Sequence, residues 1–254
     1  MTDKDRGTAL IIGVGAERGT GATVARRFAA GGLHTVLAGR TQERLEARRD
    51  EIISASGAAG GSASVHVLDV RKEDEVTAMF DAVETSNAPI KSVVFNPGAN
   101  VKHPLAETEA WLFEHLWRVS CFGGFLVARE ATKRMAASGG GSLLFTGATG
   151  SLRGANGHAA FAAAKAGLRM VAQSAAREYG PRGVHVAHII VDGAIDGEKI
   201  RQGFAERAEE LDAMGQVDNM LAPDAIAEAF WQVHAQPRSA WTHELDLRPW
   251  TETF

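Results

Sequence analysis

A run of glycines near the start of the chain supplies the first chemistry that residue type and spacing allow. The string reads Gly13-Val14-Gly15-Ala16-Glu17-Arg18-Gly19-Thr20-Gly21. Such glycines permit a tight turn whose backbone N–H groups approach a pyrophosphate, and a helix N-terminus behind them favours negative charge. The string counts as a phosphate cradle only after a strand and before a helix. An apolar run at 9–14 precedes it and a helical pattern at 20–30 follows, so Gly15, Arg18, Gly19, Thr20 and Gly21 are candidate cofactor-binding residues. A second signal follows the next apolar run, where Gly39-Arg40-Thr41 stands. An acid at this place accepts hydrogen bonds from the ribose 2′-OH of NAD, whereas arginine pairs bidentately with a 2′-phosphate. With Arg40 there, Arg18 in the loop and no acid, the expectation is NADP(H) over NAD(H). Two other uses stay open: both arginines as solvated surface charges, or Arg40 stacked on adenine. No Cys/His/Asp spacing suggests a metal site.

The elements that position these residues alternate. Apolar runs fall at 9–14, 33–38, 65–68, 92–95, 142–145 and 184–191, with a weaker seventh at 244–247. Helical patterns fall at 20–30, 42–54, 73–85, 107–137, 157–179 and 223–234. Strand–helix alternation with continuous apolar strands predicts an α/β fold: a three-layer, doubly wound Rossmann arrangement with a parallel sheet of about seven strands. No linker or repeat interrupts it, so residues 1–254 read as a single NAD(P)-binding domain. The Gly/Ala/Ser stretch at 54–64 reads as a loop. The segment 196–217 lies outside the alternation, either as a cover over the ligand crevice or as an ordinary surface helix pair.

The spacing Gly15-x-x-x-Gly19-x-Gly21 resembles the motif of the short-chain dehydrogenase/reductase family, and the resemblance extends over nearly the whole chain. Asp69-Val70 follows the third strand, where that family sets an acid against adenine. Asn96-Pro97-Gly98 stands where the family has Asn-Asn-Ala-Gly, and Asp192-Gly193 stands near its Pro-Gly. Trp241-Thr242-His243-Glu244-Leu245 is similar to its closing strand. The resemblance adds Asp69, Val70, Asn96, Gly98, Ile195 and Lys165 to the expected cofactor contacts.

The family's proton chemistry comes from a Tyr-x-x-x-Lys pair one turn apart on a helix, with a serine and an asparagine beside it. Here the segment is Phe161-Ala-Ala-Ala-Lys165. Counted back without gaps, the serine position falls on Ala148 and the asparagine position on Ser120. The resemblance thus implies an atypical member lacking the catalytic tyrosine and serine. Phe161 exchanges no proton, and the only tyrosine, Tyr179, lies 18 residues further on, roughly 27 Å along a helix. Candidate catalytic residues are then Lys165 with the substitutes His158, Thr149 and Ser120. Each substitute has a plainer use: His158 as a histidine at a helix start, Thr149 and Ser120 as partners of nearby backbone.

Bulk properties narrow the rest. The chain has 254 residues, 45% hydrophobic and 23% charged, with net charge -4 and no block of like charge. Neither nucleic acid nor an anionic membrane is implied as a partner. The single cysteine, Cys121, cannot form an intrachain disulfide and reads as a small core residue. The first seven residues carry no apolar signal core and no run spans a bilayer, so a soluble cytoplasmic protein is expected. Ala- and Gly-rich helices at 107–137 and 157–179 match the family's subunit interface, which implies a homodimer or homotetramer. Two functions stay open: an NADP(H)-dependent oxidoreductase acting on a small organic molecule, or a binding protein that keeps the dinucleotide site without chemistry.

Overall fold

The computed structural model describes residues 7–56, 62–86, 88–203, 205–215 and 218–253. The predicted loop at 54–64 lies partly outside these residues, as do the N-terminal six and part of the 196–217 segment. Seven strands form one parallel sheet in the order β3-β2-β1-β4-β5-β6-β7. They are β1 (Thr8–Ile12), β2 (His34–Gly39), β3 (Ala63–Val67), β4 (Ile90–Phe95), β5 (Gly141–Thr146), β6 (Val184–Val191) and β7 (Glu244–Leu247). The strand order reverses between β1 and β4, which opens a crevice at the carboxyl ends of those strands.

Alternation along the strands divides the core between two faces. Leu10, Ile12, Val93, Phe95, Leu143 and Phe145 point to one face. There they meet α3 (Glu73–Ser86), α5 (Gly123–Ala137) and α6 (Ala159–Tyr179). Ala9, Ile11, Leu37, Val94, Leu144 and Ile189 point to the other. They meet α1 (Thr20–Ala30), α2 (Gln42–Ser56) and α9 (Pro223–His234). Both faces are covered, which is why the central strands read as unbroken apolar runs rather than alternating ones.

Three expectations need correction. The helix expected at 107–137 is not continuous. A 3₁₀ turn (Leu105–Glu107) comes first, then α4 (Ala110–Trp117), a π turn (Arg118–Phe122) and α5. Pattern does not reveal the π turn, because it spans only the five residues Arg118–Phe122. The helix expected from 157 starts at Ala159, with His158 as its cap residue outside the helical turns. The third strand is shifted toward the N-terminus, to Ala63–Val67. The segment after β6 forms two short helices, α7 (Glu198–Gly203) and α8 (Ala205–Ala213).

Candidate functional site

One cavity of about 770 Å³ runs along the crevice from the glycine-rich loop to the start of α6. Gly15, Arg18, Gly19, Thr20 and Gly21 line one end, and Ala148, Thr149, His158, Phe161 and Lys165 the other. Asn96, Gly98 and Ile195 line it between them. The loop is compact for a steric reason. A Cβ on Gly21 would stand 2.5 Å from the Gly13 carbonyl oxygen, so α1 begins hard against the preceding turn. That contact brings the helix N-terminus to the cavity wall, where an anion gains from it.

Asn96 ties the strand ends together. Its amide donates to the Gly13 carbonyl at 3.0 Å, and its oxygen accepts from the Thr146 hydroxyl at 3.0 Å. Both ends of the side chain are thus engaged in joining β1, β4 and β5. Lys165 is 4% exposed and donates to the Thr146 carbonyl at 2.8 Å. Burial, and after it the charge of Lys199, push its pKa down to about 8. A Cβ on Gly98 would lie 3.1 Å from Lys165 Nζ and 3.9 Å from Ser120 Oγ, so the two groups flank one turn. Ser120 sits in the π turn, fully buried, and among the described residues its hydroxyl has no hydrogen-bond partner. It does not line the cavity.

The proposed substitutes are placed differently from one another. Thr149 donates its hydroxyl to Asp192 Oδ1 at 2.5 Å, which leaves it only an acceptor for a ligand. His158 Nδ1 lies 3.0 Å from Asn100 Oδ1, and its ring stands 6.4 Å from that of Phe161, edge to face. Tyr179 ends α6 and packs at the border of the core, away from the cavity. His185 and His188 are in β6, both buried.

Arg40, Asp69 and Val70 do not line this cavity. Arg40 is exposed at the end of β2. Asp69 is held by Arg71, whose Nε lies 2.9 Å from both carboxylate oxygens. Hydrogen bonding to Arg71, with a smaller contribution from the charge of Arg40, lowers the Asp69 pKa to about 2. Val70 is buried against Gly123. Arg71 also reaches His115 Nδ1 at 3.1 Å.

Sequence reasoning missed several residues that organise the site. Asp192 is fully buried at the end of β6 and accepts from Thr149, and from Arg153 at 3.1 Å. Ser151 accepts from the Ala148 N–H at 3.1 Å and lies 3.0 Å from His188 Nε2. Burial above all pushes the His188 pKa down to about 3, so the ring is neutral and braces the turn after β5. Asn100 joins the cavity from the loop after β4 and Lys199 from α7. The only signal for Asn100 was its place four residues after Asn96. Lys199 gave none, since a lone lysine in a polar segment reads as surface.

Residues 8–208 match the short chain dehydrogenase family. A short-chain dehydrogenase from Rhodopseudomonas palustris, known by crystal structure, is 41% identical, with a TM-score of 0.79, covering 96% of this chain and 99% of that one. The 3beta-hydroxysteroid dehydrogenase 1 of Eggerthella lenta is 32% identical over 235 residues, 90% of this chain and 87% of that protein. The uncharacterized oxidoreductase YuxG of Bacillus subtilis is 32% identical over 226 residues, 89% of this chain but 31% of YuxG, so the chain spans about a third of that protein's length. The matched stretch contains both the glycine-rich loop and Lys165, the two ends of the cavity, and on that ground the chain belongs to the short-chain dehydrogenase family.

Proposed function

We propose that residues 1–254 act as one dinucleotide-binding domain, an NADP(H)-dependent oxidoreductase for a small organic substrate with a non-standard catalytic site. The observation that carries this reading is the single cavity joining the glycine-rich loop to Lys165. The donors present suit a dinucleotide. Backbone N–H groups and a helix N-terminus would hold a pyrophosphate at one end, and the buried Lys165 would hold ribose hydroxyls at the other. Arg18 and Arg40 supply charge for a 2′-phosphate, while Asp69, the acid that feels the charge of Arg40, is already engaged by Arg71. The nicotinamide, when bound, supplies hydride transfer.

The protein's own part is to bind, orient and handle the proton. Phe161 gives an apolar wall one turn before Lys165 and takes no part in proton transfer. His158 is the ring at the cavity with an ionisable nitrogen and an orienting partner. With Nδ1–H donating to Asn100 Oδ1, Nε2 remains free to accept a proton and, once charged, to return it. A substrate such as an enone or imine asks less of a hydroxyl donor than a ketone does. The same reading implies assembly as a dimer or tetramer through α4, α5 and α6.

A second reading is supported by Phe161 and Ala148 themselves: a dinucleotide-binding protein without turnover. Hydride transfer assayed with NADPH over carbonyl, enone and imine panels separates the two. Turnover with any panel member favours the enzyme, while tight NADPH binding with none favours the binder. NADPH binding more tightly than NADH, with Arg40→Asp narrowing the gap, is expected from fluorescence titration. Loss of such a charge-assisted contact is worth about 1.5–3 kcal/mol. Equal affinities in the parent chain would remove the NADP(H) assignment.

A further inference from the structure

Three consecutive residues after β6 sit directly on the glycine-rich loop. Asp196 Oδ2 accepts from the Arg18 guanidinium at 3.3 Å, and Glu198 Oε1 accepts from the Glu17 N–H at 3.0 Å. Gly197 lies between them, so close that a Cβ would stand 2.6 Å from the Arg18 carbonyl oxygen. The other Asp196 oxygen accepts from Arg201 Nε at 2.9 Å, and Arg201 also pairs with Asp212 of α8. Two donors that an anion would take, a loop N–H and a guanidinium, are therefore held by the chain's own carboxylates.

We propose that Asp196 is a selectivity residue of the dinucleotide site: its carboxylate stands in for a 2′-phosphate on Arg18, and arrival of that phosphate releases the 196–198 segment from the loop. This rests on the reading of Arg18 as an NADP(H) contact. A phosphate monoester carries roughly 1.5–2 negative charges and three acceptor oxygens at neutral pH, against one charge on a carboxylate, so it wins the guanidinium. Asp196 keeps Arg201 as counter-charge when displaced, so the exchange leaves no bare acid. A 2′-hydroxyl has no charge and leaves Arg18 with Asp196. The two dinucleotides thus leave the crevice cover in different states, released by NADP(H) and latched by NAD(H). Linkage makes the effect reciprocal: the latch weakens 2′-phosphate binding by the factor by which the phosphate loosens the latch. The Arg18 side chain is 64% exposed and that of Asp196 29%, so the factor is modest, roughly two- to five-fold.

The test compares 5′-AMP with adenosine 2′,5′-bisphosphate, which differ only in the 2′-phosphate, by calorimetry on the full chain. Asp196→Asn should bind the bisphosphate roughly two- to five-fold more tightly and 5′-AMP unchanged. Glu198→Gln should loosen the cover without altering the ratio between the two ligands, which separates the ion pair from general opening. Hydrogen exchange across residues 196–203 should rise with the bisphosphate in the parent chain and not with 5′-AMP. An unchanged ratio in a folded Asp196→Asn chain, or identical exchange with the two ligands, overturns the proposal. If Arg18→Ala leaves bisphosphate binding untouched, the reading of Arg18 fails and the proposal falls with it. If Arg18→Ala weakens it while Asp196→Asn does nothing, only the latch is wrong.

Discussion

Lys165 keeps its amine in a nearly dry setting, hydrogen-bonded to a backbone carbonyl that does not balance its charge. Its pKa of about 8 in the folded chain lies below the ordinary 10.5. Between those values the unfolded chain binds more protons, so this group's contribution to stability rises with pH across that window. Under the proposed function cofactor binding runs the other way, because the charged amine is the form that would serve the dinucleotide. NADPH affinity is expected to fall as pH rises through about 8, and the break should move upward in Lys199→Gln, which removes the second cause of the shift. A flat affinity from pH 7 to 9.5 by fluorescence titration would contradict this. At Phe161 the expectation concerns chemistry. Phe161→Tyr with Ala148→Ser should raise ketone reduction by about 100-fold, the lower end of what general acid catalysis supplies. His158→Ala should reduce turnover of the true substrate with NADPH binding unchanged. Vigorous ketone reduction by the parent, indifferent to His158, Thr149 and Ser120, would place the chemistry elsewhere.

Between elements, Asp192 does the joining. It follows β6 directly, yet its partners Thr149 and Arg153 come from the turn and loop after β5, and Arg248 reaches it at 3.5 Å from beyond β7. Asp192 has no exposed surface, and Asp192→Ala takes away the acceptor that Thr149 and Arg153 share, while Arg248 keeps Asp246. The expected loss is about 1.5–3 kcal/mol in denaturant unfolding, the worth of hydrogen bonds to a charged group, with Asp192→Asn closer to the parent. A change below measurement error would show that these partners find water instead. The π turn belongs to this scale too. It carries Ser120, whose hydroxyl flanks Gly98 together with the Lys165 amine.

Across the whole molecule, the two helical layers differ at their outer surfaces. On the α4–α5–α6 side, Trp111 is 63% exposed, Phe125 43% and Met170 49%. Trp117, Phe122 and Phe125 stack in a row, with ring centroids 5.7 and 6.3 Å apart. Exposed aromatic surface of this kind is what a symmetric interface covers. Light scattering at micromolar concentration is expected to give a dimer or tetramer, and Trp117→Glu with Phe125→Glu to shift it toward monomer. A monomeric mass in the parent chain would count against the assembly. Among the described residues, no helix is long and apolar enough to cross a membrane.

Strand–helix alternation, the glycine string and the two apolar faces are local or periodic properties, so the sequence alone determined the parallel sheet, its seven strands and the glycine-rich loop between β1 and α1. β6, β7, α1 and α9 follow the pattern residue for residue. The identities Phe161, Ala148 and Arg40 are likewise sequence facts, and their meaning came from a position in a motif. What only tertiary structure decided is who meets whom across long separations. Thr149 reads as a free hydroxyl until β6 brings Asp192 against it, 43 residues away. Arg18 reads as a free cation until a segment 178 residues later lays Asp196 on it. His158 reads as a loop histidine until Asn100, 58 residues earlier, orients it. The pKa of Lys165 depends on burial and on Lys199, neither of which any local pattern carries. The physical reason is common to all four: charge and hydrogen-bond partnership act over a few ångströms of space, and chain distance says nothing about which residues the fold brings within that reach.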